Sequence, residues 1–235
     1  MQFVLEERPP QRLPYFPFSR IRGLPLGEAD FADDVVDVVD DAFDHDGGLF
    51  VAGLLEEFGQ GGAGAVGDRA VQVAKANGAR VIATISSDEK ADFARQAGAD
   101  EVVNYRSEDV AARILEMTDG KGVDRIVELN LSANAPGYGQ ILAPRGTVII
   151  YGTVDAMASV PAQDFIVKGA SLKWFIVYSI TDAERDEGVA ALNKMLADGA
   201  LKTTIAARFP LTDIVAAHEM VEAAKHIGNV VLDIG

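Results

Sequence analysis

The run GGAGAVGDRAVQVAKANGARVIATI, from Gly61 to Ile85, carries more structural information than any other part of this 235-residue sequence. Its glycines fall as Gly62-x-Gly64-x-x-Gly67. A turn without Cβ atoms lets the backbone approach a pyrophosphate, and a helix starting there offers unpaired N–H groups and a positive dipole end. Ordinary turn glycines produce the same spacing, so the motif alone leaves both readings open. Its surroundings favour the first. The branched strand Val81–Ile85 begins 14 residues after Gly67, as a strand–turn–helix–strand unit requires. An NAD site would place Asp or Glu at the end of that strand to hold the ribose hydroxyls, whereas Ser86 and Ser87 stand here, with Lys90 just beyond. A missing carboxylate beside a cation favours a 2′-phosphate, hence NADP over NAD. The alternative for Lys90 is an exposed helix lysine.

Toward the C-terminus, short branched segments alternate with helical ones. Strands are expected at 81–85, 101–105, 125–129, 147–152, 171–178 and 229–234, and helices at 69–77, 88–96, 108–118, 182–198 and 212–225. Ser86 with Glu89, and Thr181 with Glu184, have the spacing of capping boxes. Near-continuous apolar strands alternating with helices predict an α/β fold, a doubly wound parallel (Rossmann) sheet covered on both faces.

Toward the N-terminus the pattern breaks down. The residues immediately before Gly61 are Glu56, Glu57, Phe58, Gly59 and Gln60, unlike a buried strand, and the apolar LFVAGLL (49–55) ends several residues early. Pro9, Pro10, Pro14, Pro17 and Pro25 forbid a regular helix there. Glu28 to Asp46 is aspartate-rich and reads as a solvated acidic helix or disordered stretch, without the Gly-hinged spacing of an oxygen-ligand metal loop. Residues 1–60 hold 13 acidic and 4 basic side chains of the chain's 36 and 21. The division expected is therefore an acidic Pro/Asp-rich segment of unassigned fold at 1–60 and an NADP-binding Rossmann domain with its C-terminal segment at 61–235.

Composition excludes several functions. A net charge of −15 opposes nucleic-acid binding. With no cysteine, the chain has neither disulfides nor thiolate-bound zinc, and His45, His218 and His226 are too scattered to make a metal site alone. His218 is expected to be packed or capping rather than catalytic. No apolar run approaches the ~20 residues of a membrane span, and the cytoplasm is the expected compartment.

The stretch from Gly61 through SSDEKADFARQAGADEVVNYRSEDV resembles the cofactor-binding half of the medium-chain dehydrogenase/reductase superfamily, in its NADPH:quinone oxidoreductase, zeta-crystallin-like branch. The resemblance continues through VDRIVELNLSAN, GTVIIYGT, KGASLKWF, FPLTDIVAAHE and GNVVLDIG, about 175 residues in all. It implies NADPH as cofactor. Gly64, Ala65, Val66 and Gly67 would cradle the pyrophosphate, and Ser86, Lys90 and Tyr105 would surround the 2′-phosphate. Asn134 would line the cofactor, Tyr151, Gly152, Thr153 and Val154 would border its nicotinamide half, and Trp174, Phe175 and Ile176 would approach the carboxamide. Core or interface packing is the alternative for Trp174 and Phe175, and Tyr105 could simply sit at a strand end.

The implied activity is zinc-independent hydride transfer from NADPH to a small quinone or enone. No catalytic residue is assigned, because the catalytic domain that precedes the nucleotide domain in that family is not recognisable in residues 1–60. A truncated or frame-disrupted relative is the expectation, with 206–210 and 230–234 as unpaired edges. An NADPH-binding remnant without turnover and a dimerisation module pairing through 174–178 stand as alternatives.

Overall fold

The structure, a computed structural model, describes residues 49–52, 65–223 and 226–234. The proline cluster, the acidic run with His45, and Gly61, Gly62 and Gly64 lie outside the described residues. The elements are β1 (Leu49–Ala52), α1 (Ala65–Ala76), β2 (Arg80–Ile85), α2 (Asp88–Ala97), β3 (Glu101–Asn104), α3 (Val110–Met117), β4 (Val123–Glu128), α4 (Leu131–Ile141), β5 (Leu142–Ile150), α5 (Ala162–Lys168), β6 (Ser171–Trp174), α6 (Asp182–Ala197), β7 (Ile205–Pro210), α7 (Ile214–Glu222) and β8 (Asn229–Asp233).

Six parallel strands form one sheet in the order β3-β2-β1-β4-β5-β6. This doubly wound order reverses direction between β1 and β4, which opens a crevice at the carboxyl ends of the strands. The expected fold class is therefore present. The central strand comes from the apolar LFVA, ahead of Gly61, and 12 residues separate Ala52 from α1. The sheet thus begins earlier than a division at Gly61 puts it.

Period-two alternation explains why β2 is buried from Val81 to Ile85. Val81, Ala83 and Ile85 pack with Val71 and Ala74 of α1 and Ala91 and Ala94 of α2 on one face. Ile82 turns to the opposite face and joins Val103, Ile114, Ile126, Leu131, Tyr138 and Val148, under α3 and α4. Each such large apolar side chain contributes about 1.5–3 kcal/mol on full burial.

Local details differ from expectation in several places. Helix α5 was not expected, and β6 stops at Trp174 although a strand was expected over 171–178, because the chain turns into a single 3-10 turn at Val177–Ser179. The cap of α2 is Ser87 and not Ser86: Ser87 is the extended residue directly before the helix, and its Oγ accepts from the Lys90 amide at 3.3 Å. Helix α4 was not expected, since LSANAPGYGQI contains Pro136 and two glycines. Packing overrides that weak propensity, because Leu131, Ala135, Tyr138 and Ile141 recur on one buried face. Finally, the late segments are not both left unpaired. β7 and β8 form their own parallel two-stranded sheet through the crossover α7.

Candidate cofactor-binding site

The carboxyl edge of the sheet collects most of the residues singled out in the sequence. Ile85 and Asn104 are partners in register, so Ser86 and Tyr105, one residue further on, end neighbouring strands. Lys90 lies in the first turn of α2 just behind them. Arg106, exposed and next to Tyr105, adds a second cation at this corner. It had gone unassigned, although a basic residue at the end of β3 is a recognisable partner for a 2′-phosphate.

At the crevice, Val66 and Gly67 occupy the first turn of α1, with Val66 exposed; Ala65 starts the helix, and Gly64 lies outside the described residues. Asp68, buried in the same turn, pairs with Arg69 and accepts from the Gln72 amide at 3.0 Å. Its charge is balanced locally, which leaves the helix dipole to favour an anion. Burial lowers the pKa of Arg69 from its ordinary value.

On the other side of the switch point, Glu128, Ile150 and Trp174 are level across β4, β5 and β6. Two further amides extend the ladder past the strand ends: Tyr151 N–H donates to the Glu128 carbonyl at 3.1 Å and Phe175 N–H to the Ile150 carbonyl at 2.8 Å. Tyr151, Gly152, Thr153 and Val154 follow β5 along the edge. At Gly152 a Cβ would fall 2.4 Å from Cδ1 of Leu129, so a larger residue there would have to push that leucine side chain aside. Trp174 is 61% exposed and so is not a core aromatic; Ile176 is exposed too, and Phe175 is partly buried. Ser132 Oγ donates to Asp155 Oδ2 at 2.6 Å and lies 3.0 Å from Asn130 Oδ1, clasping the loop after β5 to the start of α4.

A cavity of about 260 Å³ opens between the end of β3, α3 and α4, lined by Tyr105, Val110, Ala111, Asn134, Gly137 and Ile141, with Glu108 and Asp109 at the α3 start. Both carboxylates have local duties: Glu108 accepts from the Asn104 amide and Arg113, and Asp109 caps α3. Asn134 is buried, and its Nδ2 donates to both oxygens of Glu128 at 3.0 and 2.9 Å. Tyr138 Oη and the Asn130 amide donate to the same carboxylate. Burial pushes the Glu128 carboxyl above its ordinary range, against these donors, and burial together with Glu128 raises the Tyr138 hydroxyl so that it stays protonated. The sequence held one sign of this cluster, the acidic Glu128 between Val127 and Leu129 in the expected strand RIVEL (125–129). His218 is exposed on α7, so it is not packed there.

The zinc-binding dehydrogenase family pattern matches residues 65–194. The chain belongs to this family. It is 33% identical over 177 residues to 2-haloacrylate reductase of Burkholderia sp, covering 72% of this chain and 53% of that protein. It is also 33% identical to quinone oxidoreductase of Sus scrofa over 159 residues, 68% of this chain and 48% of the relative. The solved Escherichia coli quinone oxidoreductase complexed with NADPH superposes with a TM-score of 0.66 at 31% identity, over 79% of this chain and 56% of that one. The chain spans about half the length of the relatives it matches.

Zinc, for which the family is named, does not fit this chain: it has no cysteine, and among the described residues no group of three or more His, Asp or Glu is placed to hold an ion. A dinucleotide fits better, given the cavity beside Tyr105 and Asn134 and the α1 start at the switch point. No described helix is long and apolar enough to cross a membrane.

Proposed function

We propose that this chain binds NADPH along the carboxyl edge of its sheet and serves zinc-independent hydride transfer to a small quinone or activated alkene. The observation that carries the reading is the doubly wound strand order with the start of α1 at its switch point and a cationic corner at the ends of β2 and β3. Gly64 and the first turn of α1, from Ala65 to Gly67, take the pyrophosphate. Ser86, Lys90, Tyr105 and Arg106 surround the 2′-phosphate, and the cavity lined by Asn134 takes the adenosine base. Tyr151 to Val154 border the nicotinamide half, and Trp174 to Ile176 meet the carboxamide. NADPH, when bound, supplies the hydride, while the protein's groups orient it and screen it from water.

No acid or base is assigned to the chain, because the acceptor can take its proton from solvent. The exposed side chains of Trp174 and Tyr178 on and beyond the outermost strand, with Ile166 and Val167 of α5, support pairing of two copies at this edge. The cytoplasm is the compartment this reading carries.

Titration with NADPH and with NADH, followed by addition of a small quinone, tests the proposal. NADPH should bind at least about tenfold more tightly than NADH, the equivalent of about 1.4 kcal/mol, and be oxidised only when quinone is present. Binding without oxidation would reduce the chain to a nucleotide-holding unit, and failure to bind either nucleotide would overturn the site.

A further inference from the structure

Glu128 presents an arrangement that sheet packing alone does not require. Its side chain is 1% exposed at the carboxyl end of β4, and every neighbour donating to it is uncharged: the Leu129 and Asn130 amides, Asn134 Nδ2 and Tyr138 Oη. A carboxylate buried among neutral donors is costly unless each lone pair is used. An apolar residue of similar volume would serve a purely structural role at less cost. Asn134 Nδ2 lies at nearly equal distance from both carboxylate oxygens, a three-centre bond that holds this side chain against Glu128. The residue so held lines the same cavity as Tyr105, together with Val110 and Ala111 of α3 and Gly137 and Ile141 of α4.

We infer that Glu128 is a positioning residue for the nucleoside cavity: it clamps Asn134 into the wall that receives the purine base, with Tyr138 as a brace from the next turn of α4. The inference rests on the nucleotide reading given above and adds to it a residue that never touches the ligand. Because Glu128 acts through Asn134, the two positions should not behave independently in binding.

Adenosine 2′,5′-bisphosphate, the adenosine end of the cofactor without its nicotinamide, is the probe, titrated calorimetrically into the wild type, Glu128→Gln, Asn134→Ala and the double variant. The neutral amide keeps the size of Glu128 but turns one acceptor into a donor, which sets an N–H against the Asn134 or Asn130 N–H. Glu128→Gln should weaken the probe by about tenfold, as expected where a buried polar partner is mismatched. The double variant should bind no worse than Asn134→Ala alone, because the Glu128 effect is spent once Asn134 is gone. Undiminished binding by Glu128→Gln, or additive losses in the double variant, would overturn the inference. Should Glu128→Gln fail to fold, the wild type still decides: the Asn134 side-chain NH₂ must give a solvent-protected, carboxylate-shifted pair of nuclear magnetic resonance signals, and rapid exchange with water would overturn it. A wild type that ignores the probe would remove the nucleotide reading itself, an outcome distinct from a wild type that binds and a Glu128→Gln that binds equally.

Discussion

Residues up to Phe175 and those after it form helices and strands with comparable regularity, yet they bury their side chains very differently. The six-stranded sheet encloses two clusters of fully covered apolar residues, around Ile82 and Ile126 on one face and Val71 and Ala83 on the other. After Phe175, among the described residues, only Leu201 and Ala217 are buried. Val189, Leu192 and Leu196 of α6 and Val215 and Val221 of α7 are exposed. Secondary structure in the later region follows from local rules, such as the Thr181–Glu184 capping box, and a core does not come with it. Local order and tertiary stability are separate achievements in this chain.

The largest consequence is a gradient of stability. Ile126→Ala should cost about 2–5 kcal/mol in denaturant unfolding, since Ile126 is 0% exposed in the centre of the sheet. Leu196→Ala, at a half-exposed position, should stay within about 0.5 kcal/mol. Amide exchange should agree, with β4 and β5 protected roughly a hundredfold or more beyond β7 and β8. Equal protection in the two regions would break the comparison.

One contact sharpens it. Gln72 of α1 exchanges two hydrogen bonds with the backbone of Lys202, accepting from its amide at 2.7 Å and donating to its carbonyl at 3.1 Å. Its Nε2 also reaches Asp68, so a single side chain links the first turn of α1 to the segment leading into β7. Gln72→Ala should cost about 1 kcal/mol, because the buried Gln72 side chain loses both bonds while the exposed Lys202 can turn its backbone groups to water. The loss should appear first as faster exchange from 202 to 210, with β4 unchanged. A uniform acceleration across the whole chain would show that the two regions are not joined mainly here.

The unevenness also explains what was legible in the sequence. The parallel sheet could be read because β2, β4 and β5 are short branched runs at regular intervals, and the carboxyl-edge residues follow from where such strands stop. Helix α4 could not be read, because its Pro136, Gly137 and Gly139 argue against a helix that only the packing of Tyr138 and Ile141 enforces. The Glu128 cluster was hidden for a related reason: four donors converge on one carboxylate only after β4 and α4 have folded against each other. β1 was visible as LFVA but was placed too early to be trusted, since strand–helix connections usually run to only about 2–6 residues.

Two carboxylates give the sheet region opposite pH responses. Partial burial pulls the Asp100 carboxyl upward, but the Val81 amide at 2.7 Å and Lys75 at 2.9 Å outweigh it, and the net direction is down. Asp100 therefore contributes stability above its unfolded pKa of about 3.9, and that stability is lost as pH falls through the lower folded value. Glu128 is raised, so its contribution runs the other way: stability declines as pH rises from about 4.3 through the folded value. Asp100→Asn should flatten the acid limb of a pH–stability curve, and Glu128→Gln should remove the decline on the less acidic side. Identical curves for the two variants would contradict the opposed assignments.

The smallest effect belongs to the cap of α6. Thr181 Oγ1 accepts from the Glu184 amide at 3.3 Å, and the Glu184 carboxylate accepts in return from the Thr181 amide. Replacing a capping threonine by alanine typically costs about 1 kcal/mol. In a helix with no buried residue of its own, that cost has little packing behind it to absorb it. Thr181→Ala should therefore loosen α6 alone: exchange at 184–190 should quicken about fivefold, as about 1 kcal/mol implies, while the unfolding midpoint of the sheet stays where it was. A midpoint that moved with the cap would mean that α6 and the sheet unfold as one unit, and the contrast between the two regions would then be one of exposure and not of stability.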